Sequence, residues 1–286
     1  MHHALSRLVT TAALCPTIAG SCPSMADAQP VPDKSAYSLF NPTPAELRRP
    51  LSADRPDATE SPYTVDAGAI QLEMSFVEHA WSGSGARRVS STSIAPLNLK
   101  LGLTSSADIQ FLLDPYLVGD DPEQGARRGV GNTGLRLKVN LFGNDDGDAA
   151  LAILPYLVFP TGSDDVASNR VEGGIVVPFA CSLAEGWDLG AQVQIDRVRG
   201  GDNNGHETVF SHTVALGREI TDRFGVYGEY IGELSLADDS GYSPSIAGGF
   251  AFSITRDLRF DAGVVVGLDH PDTETVRLFA GMTVRY

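Results

Sequence analysis

Residues that change character at every second position, in runs of about eleven, constrain this chain more than anything else in it. The last two runs show the pattern best. Between Leu258 and Leu268, Leu258, Phe260, Ala262, Val264, Val266 and Leu268 share one side, while Arg259, Asp261, Gly263, Val265 and Gly267 share the other. After the polar break from Asp269 to Thr273, Val276, Leu278, Ala280, Met282, Val284 and Tyr286 alternate with Arg277, Phe279, Gly281, Thr283 and Arg285. Successive side chains of a strand point to opposite faces, so each run is a strand with one apolar face and one face of charge and glycine. About eleven residues is also the length at which a tilted strand crosses the hydrocarbon core of a bilayer. The pattern predicts lipid against the first face and a watery lumen against the second.

From Gly68 onward such runs recur about twelve times, near 69–79, 92–103, 107–117, 131–142, 149–159, 171–181, 186–197, 207–218, 224–235 and 243–254, with the two above. The fifth and sixth are apolar on both faces and carry no clear phase. Tight turns (104–107, 143–147, 184–186, 221–223, 255–257) alternate with longer joins (80–91, 118–130, 160–170, 198–206, 236–242, 269–274). Short turns at one rim and long loops at the other are the habit of outer-membrane barrels, whose short turns face the periplasm. The expected fold is therefore all-β, an antiparallel transmembrane β-barrel of about twelve strands with both termini periplasmic. A soluble β-sandwich also alternates, but its apolar side chains would be packed inside, sheet on sheet. The second face here is rich in glycine and in charges of both signs, unlike a uniformly hydrophilic exterior.

Bulk properties agree. The longest apolar run, Ala149 to Phe159, contains Pro155 and is too short for a spanning helix. A formal net charge of -15 argues against nucleic acid, which is bound by neutralising phosphates with Lys and Arg. Residues 1–28 read as a secretory signal: Arg7, an apolar stretch from Leu8 to Ile18, and Ala26-Asp27-Ala28 before the cut. Cleavage there removes Cys15 and Cys22 and leaves Cys181 without an intramolecular partner. The rival reading is a lipoprotein modified at Cys22. Residues 29–67 form a Pro-rich leader with no two-residue period, and residues 68–286 form the barrel.

The charges predicted on the inner face are Glu73, Lys100, Asp108, Arg136, Lys138, Asp188, Asp196, Glu229, Glu233, Arg259, Asp261, Arg277 and Arg285. Two readings stand: a salt-bridge lattice between neighbouring strands that fills a narrow barrel, or a constriction selecting permeants by charge and size. Asp54, Arg55, Pro56, Asp57, Thr59 and Glu60, dense in charge just ahead of the first strand, predict a small plug in the periplasmic mouth. There Asp54, Asp57 or Glu60 would meet Arg259, Arg277 or Arg285. The competing reading is a disordered leader.

That run, Asp54-Arg55-Pro56-Asp57-Ala58-Thr59-Glu60-Ser61-Pro62, followed by Thr64-Val65, Gly68 and Gln71-Leu72-Glu73, resembles the opening segment of the outer-membrane transporter family named after the meta-pathway of phenol degradation. Gly129 to Thr133, Val139 to Gly143 and Phe159 to Gly162 are similar to later parts of that family, with Asn132 where an aspartate is expected. The resemblance implies a porin-like barrel in the outer membrane of a Gram-negative bacterium, passing small hydrophobic or aromatic molecules. No cofactor is implied.

Other functions find less support. The acidic loops (Asp120, Asp121, Glu123, Asp164, Asp165, Asp202, Asp238, Asp239, Asp269, Asp272) read as hydrated, with divalent cations bridging lipopolysaccharide as the functional alternative; no calcium-loop spacing occurs and no metal site is expected. A closed barrel binding lipopolysaccharide or a partner is the alternative to a channel. Outer-membrane lipid and, through Tyr286, the barrel-assembly machinery are the other partners expected. For lipid hydrolysis, Ser211 and His212 are adjacent and face opposite sides of a strand, and His206 with Thr208 lacks a third member. The chain is not expected to be an enzyme.

Overall fold

The computed structural model describes residues 33–83, 88–123, 125–200, 205–236, 241–268 and 275–286. The expected signal peptide, its two cysteines and the acids at 202, 238, 239, 269 and 272 lie outside the described residues.

Fifteen strand segments share one antiparallel sheet: β1 (Ile70–Ser82), β2 (Val89–Ile94), β3 (Leu97–Thr104), β4 (Ala107–Leu113), β5 (Tyr116–Asp121), β6 (Gly125–Gly129), β7 (Thr133–Phe142), β8 (Ala149–Phe159), β9 (Glu172–Ala184), β10 (Trp187–Arg199), β11 (His206–Thr221), β12 (Phe224–Ser235), β13 (Tyr242–Thr255), β14 (Leu258–Gly267) and β15 (Val276–Arg285). Three pairs are single barrel strands interrupted once. β2 and β3 break at Ala95-Pro96, β4 and β5 at Asp114-Pro115, β6 and β7 at residues 130–132. Proline has no N–H for the ladder, and Ala95 takes a positive φ of 57°, so the strand leaves its regular path there. β1 spans the first break, pairing β3 along one half and β2 along the other. β15 pairs with β1 from Gln71↔Arg285 to Trp81↔Val276, so the sheet closes into a barrel of twelve strands, with β6 paired on one side only.

The alternation sorts as predicted. Leu99, Leu137, Ile195, Phe250 and Leu278 are among many apolar side chains exposed on the outer wall, an arrangement water would not tolerate and acyl chains satisfy. On the inner wall Lys100 and Lys138 are only 1% and 0% exposed. β8 and β9 take a definite phase. Ala152, Leu154 and Val176 are buried inside with Tyr156 packed on them, so this part of the lumen wall is apolar.

Two local departures matter. The join expected at 118–130 is a continued hairpin, β5 on β6, with a turn at residues 122 and 123; most of β6 is exposed, which is why no alternation marks it. A bulge between Ser75 and Val77 turns Phe76 and Val77 both outward. Beyond it the phase of β1 has shifted, and Glu78 looks inward.

Candidate functional site

The site is built from the leader. Its first stretch is anchored by backbone at the rim of short turns, where Leu39 N–H donates to Leu103 O (2.8 Å) and Ser38 bridges Thr104. One 3-10 turn, Ala45–Leu47, is the only helix among the described residues. Arg49 is held at the same rim, its side chain on Ser105 O and its N–H on Asp66 Oδ2 (2.9 Å). Lys34 reaches Asp145 at 2.6 Å. From Ser52 the chain turns into the lumen, crosses it, and returns to the rim by Val65.

Asp54 lies between two lysines. Lys138 Nζ lies 2.7 Å from Asp54 Oδ1, and Lys100 holds Oδ2 while also meeting Glu73. Burial alone would raise the Asp54 carboxyl, but the two ammonium groups together hold it below its ordinary value. Arg55 forks onto Asp261 (2.7 Å), donates to Ser75 Oγ (2.6 Å) and lies 5.6 Å over the Phe279 ring. Opposite, Glu229 receives three bonds at one turn of the loop: Ala58 N–H at 2.9 Å, Thr59 N–H at 2.8 Å and Thr59 Oγ1 at 2.7 Å. The loop then returns past Gln192, which accepts from Glu60 N–H (2.7 Å), and Arg136, which pairs with the Glu60 carboxylate. Lys138 and Asn140 donate to Ser61 O and Pro62 O, and Asp108 receives Val65 N–H at 2.9 Å.

One rule covers these bonds. Buried backbone groups need partners, and between residues 52 and 65 they find them in side chains of the wall or, for Ser61 and Tyr63, of the loop itself, not in the wall's backbone. The inner charges are accordingly not a strand-to-strand lattice. Among the described residues, all ion pairs but Lys100–Glu73 and Arg285–Asp257 include a leader residue. Glycine makes room: a Cβ at Gly281 would lie 2.6 Å from Arg55 Nη2, and one at Gly190 3.1 Å from Thr59 Cγ2.

The expected pairings of the leader need correction. Asp54 and Glu60 meet Lys100, Lys138 and Arg136, not Arg259, Arg277 or Arg285. Arg285 is taken by Asp257 (2.5 Å) and Arg49 O (2.8 Å) at the rim, and Arg259 donates to Arg55 O (2.8 Å). Arg277 makes no ion pair among the described residues. Asp196 accepts from Tyr156 and Gln194, away from the loop. Asp188 is exposed and accepts from Ser182, and Glu233 is exposed as well. Glu78, Tyr227, Gln192 and Thr213 join the site as well; alternation puts Gln192 and Tyr227 on the inner face, but only charged residues were singled out there, and Tyr227 is turned toward Pro56 O and Thr213 toward Thr59. His206 bonds Val171 O while Thr208 bonds Arg197, so the two do not serve one another.

The loop divides the space. On the short-turn side a cavity of about 370 Å³ lies between it and β9–β14, bordered by Asp222 and Arg223. On the long-loop side lie cavities of about 320 and 200 Å³, the first beside Glu78, Asp114 and Asn132, the second beside Tyr227, Arg277 and Phe279. Arg55 borders all three.

Comparison with known proteins places this geometry. The model of a family described as MetA-pathway of phenol degradation matches residues 53–286, from the loop's start to the last residue. An outer membrane channel from Pseudomonas putida F1 superimposes with a TM-score of 0.63 at 14% identity, over 82% of this chain and 100% of that one. The NanC porin does so with a TM-score of 0.52 at 10% identity, over 75% of this chain and 98% of that one. At such identities the likeness is one of fold. No curated protein matches the chain in sequence.

Proposed function

The chain belongs to the MetA-pathway of phenol degradation family, and from that premise we propose that it is an outer-membrane channel for passive passage of small, hydrophobic or aromatic compounds. Residues 52–62 act in it as the element that sets whether the lumen is open. The observation that carries this reading is the crossing loop itself, bonded to the walls by side chains alone. The rim of short turns and both termini face the periplasm, residues 1–28 are removed on export, and Tyr286 is the end offered to the assembly machinery. Lipopolysaccharide packs against the outer wall near the long loops.

The test is electrical. In planar bilayers the chain lacking residues 40–62 should conduct several-fold better than the full mature chain. Equal conductance would remove the loop from this role. The density of bonds around Asp54 favours a second reading, a barrel closed for good that serves as a binding surface. Silence of both proteins in bilayers, with solute uptake absent from liposomes, is the outcome that reading requires.

A further inference from the structure

The 200 Å³ cavity on the long-loop side has an unusual balance of charge. Its walls bring together Tyr227, Val265 and Phe279 with Arg277 and, from the loop, Pro56 and Ala58. Arg55, Asp57, Glu78 and Glu229 line it as well, and both glutamates are hydrogen-bonded. Glu78 accepts from Ser75 Oγ at 2.6 Å and faces Arg55, while Glu229 is saturated by Ala58 and Thr59. Burial and then the neighbouring Glu229 push the Asp57 carboxyl up to about 8, toward its neutral form. Arg55 is shared between Asp261 and Glu78. Arg277 is different: it is exposed to the lumen and has no hydrogen bond or ion pair with any described residue. The two rings next to it lean over Gly263, where a Cβ would stand 2.5 Å from Phe279 Cζ and 2.8 Å from Tyr227 Oη. An unmatched guanidinium thus sits beside an aromatic surface in a space the size of one ring. A cavity of about 150 Å³ is known to take benzene.

We propose that this cavity is a subsite for small aromatic monoanions, with the ring against Phe279 and Tyr227 and the carboxylate or phenolate on Arg277. The inference rests on the channel reading above and narrows its permeants to a charge class. Arginine suits the task because its planar fork pairs a carboxylate through two parallel bonds, which an ammonium cannot do. The faces of Phe279 and Tyr227 then favour anions that carry a ring over those that lack one.

Calorimetric titration of the full mature chain in detergent tests this with three probes: benzoate, benzyl alcohol and acetate. Benzoate should bind at least tenfold more tightly than either of the others. Arg277→Gln should cost benzoate about tenfold and leave benzyl alcohol unchanged, with Arg277→Lys between the two; Phe279→Leu should weaken both ring compounds; and Arg197→Gln, on the outer wall, should change neither. Acetate binding as tightly as benzoate, or benzoate indifferent to Arg277→Gln, overturns the subsite. The two readings fail separately. Benzoate held through Arg277 in a barrel that passes none leaves the subsite standing without the channel, whereas benzoate flux with no Arg277-dependent binding leaves the channel without the subsite.

Discussion

Lys100 and Lys138 lie on one side of the crossing loop, Arg277 and Glu233 on the other, and all four come from the same alternation on the same inner wall. The first two are sealed; the second two are exposed. Nothing in their own strands separates them. The difference is the loop, whose Asp54 needs both lysines and whose backbone needs Glu229, Gln192, Asn140 and Asp108. A polar residue facing a lumen becomes part of the architecture where a second segment of chain supplies its partner, and stays available to solutes where none does.

The comparison can be broken at several points. Asp54→Ala should do most damage, since it leaves buried Lys138 without an ion pair and buried Lys100 with Glu73 only. Removing one member of such a group costs about 3–5 kcal/mol, read as a lower midpoint of thermal unfolding in detergent. Glu233→Ala, its exposed counterpart, should stay within about 0.5 kcal/mol. Equal effects would erase the distinction between the two halves. Glu229→Ala strips three donors of one acceptor and should cost about 2–3 kcal/mol, with a rise in single-channel conductance as residues 58 and 59 come loose.

Acidity sharpens the contrast by a smaller amount. Asp57 ordinarily titrates at 3.8 and is raised to about 8 where it is docked, so the docked loop holds a proton that the free loop releases. Docking is therefore full below about pH 4, weakens as pH climbs from 4 to 8, and is level above that. Glu60, raised by burial against the pull of Arg136, acts in the same sense. Asp54 is shifted the opposite way, so its contribution is lost only in acid below its ordinary value, outside this window. Conductance should be higher at pH 8.5 than at pH 5, and Asp57→Asn should flatten most of the change; a flat profile in the unaltered chain would contradict the assignment. The smallest effect belongs to Gly190→Ala, whose Cβ asks Thr59 to yield by tenths of an ångström. It should cost about 1 kcal/mol or less, and Gly217→Ala, with only Asp188 O at 3.8 Å, should cost nothing measurable.

Much of the wall was legible because period two is a local signal: β8 runs from Ala149 to Phe159 as read, and Glu73, Lys100, Asp108 and Lys138 point inward as read. What local pattern cannot carry is partnership. Arg55 and Asp261 are 206 positions apart, and no spacing along the chain announces that they meet. The leader was expected to reach the arginines of the mouth. It meets two of them only through its backbone carbonyls, Arg259 at Arg55 O and Arg285 at Arg49 O, while the acids Asp54 and Glu60 pair with Lys100, Lys138 and Arg136. Glu78 was hidden by the single extra residue of the β1 bulge, which exchanges the faces beyond it. The apolar patch of Ala152, Leu154 and Val176 was hidden for another reason: with both faces apolar, β8 and β9 offer no contrast from which to read a phase.

Both legs of the crossing loop leave through one opening, and its amides are satisfied by side chains instead of by any strand. Withdrawing it therefore unzips no β-ladder and threads no chain end through the barrel. The stopper and the cask are separable: one can be drawn while the other keeps every rung of its hydrogen-bonded wall.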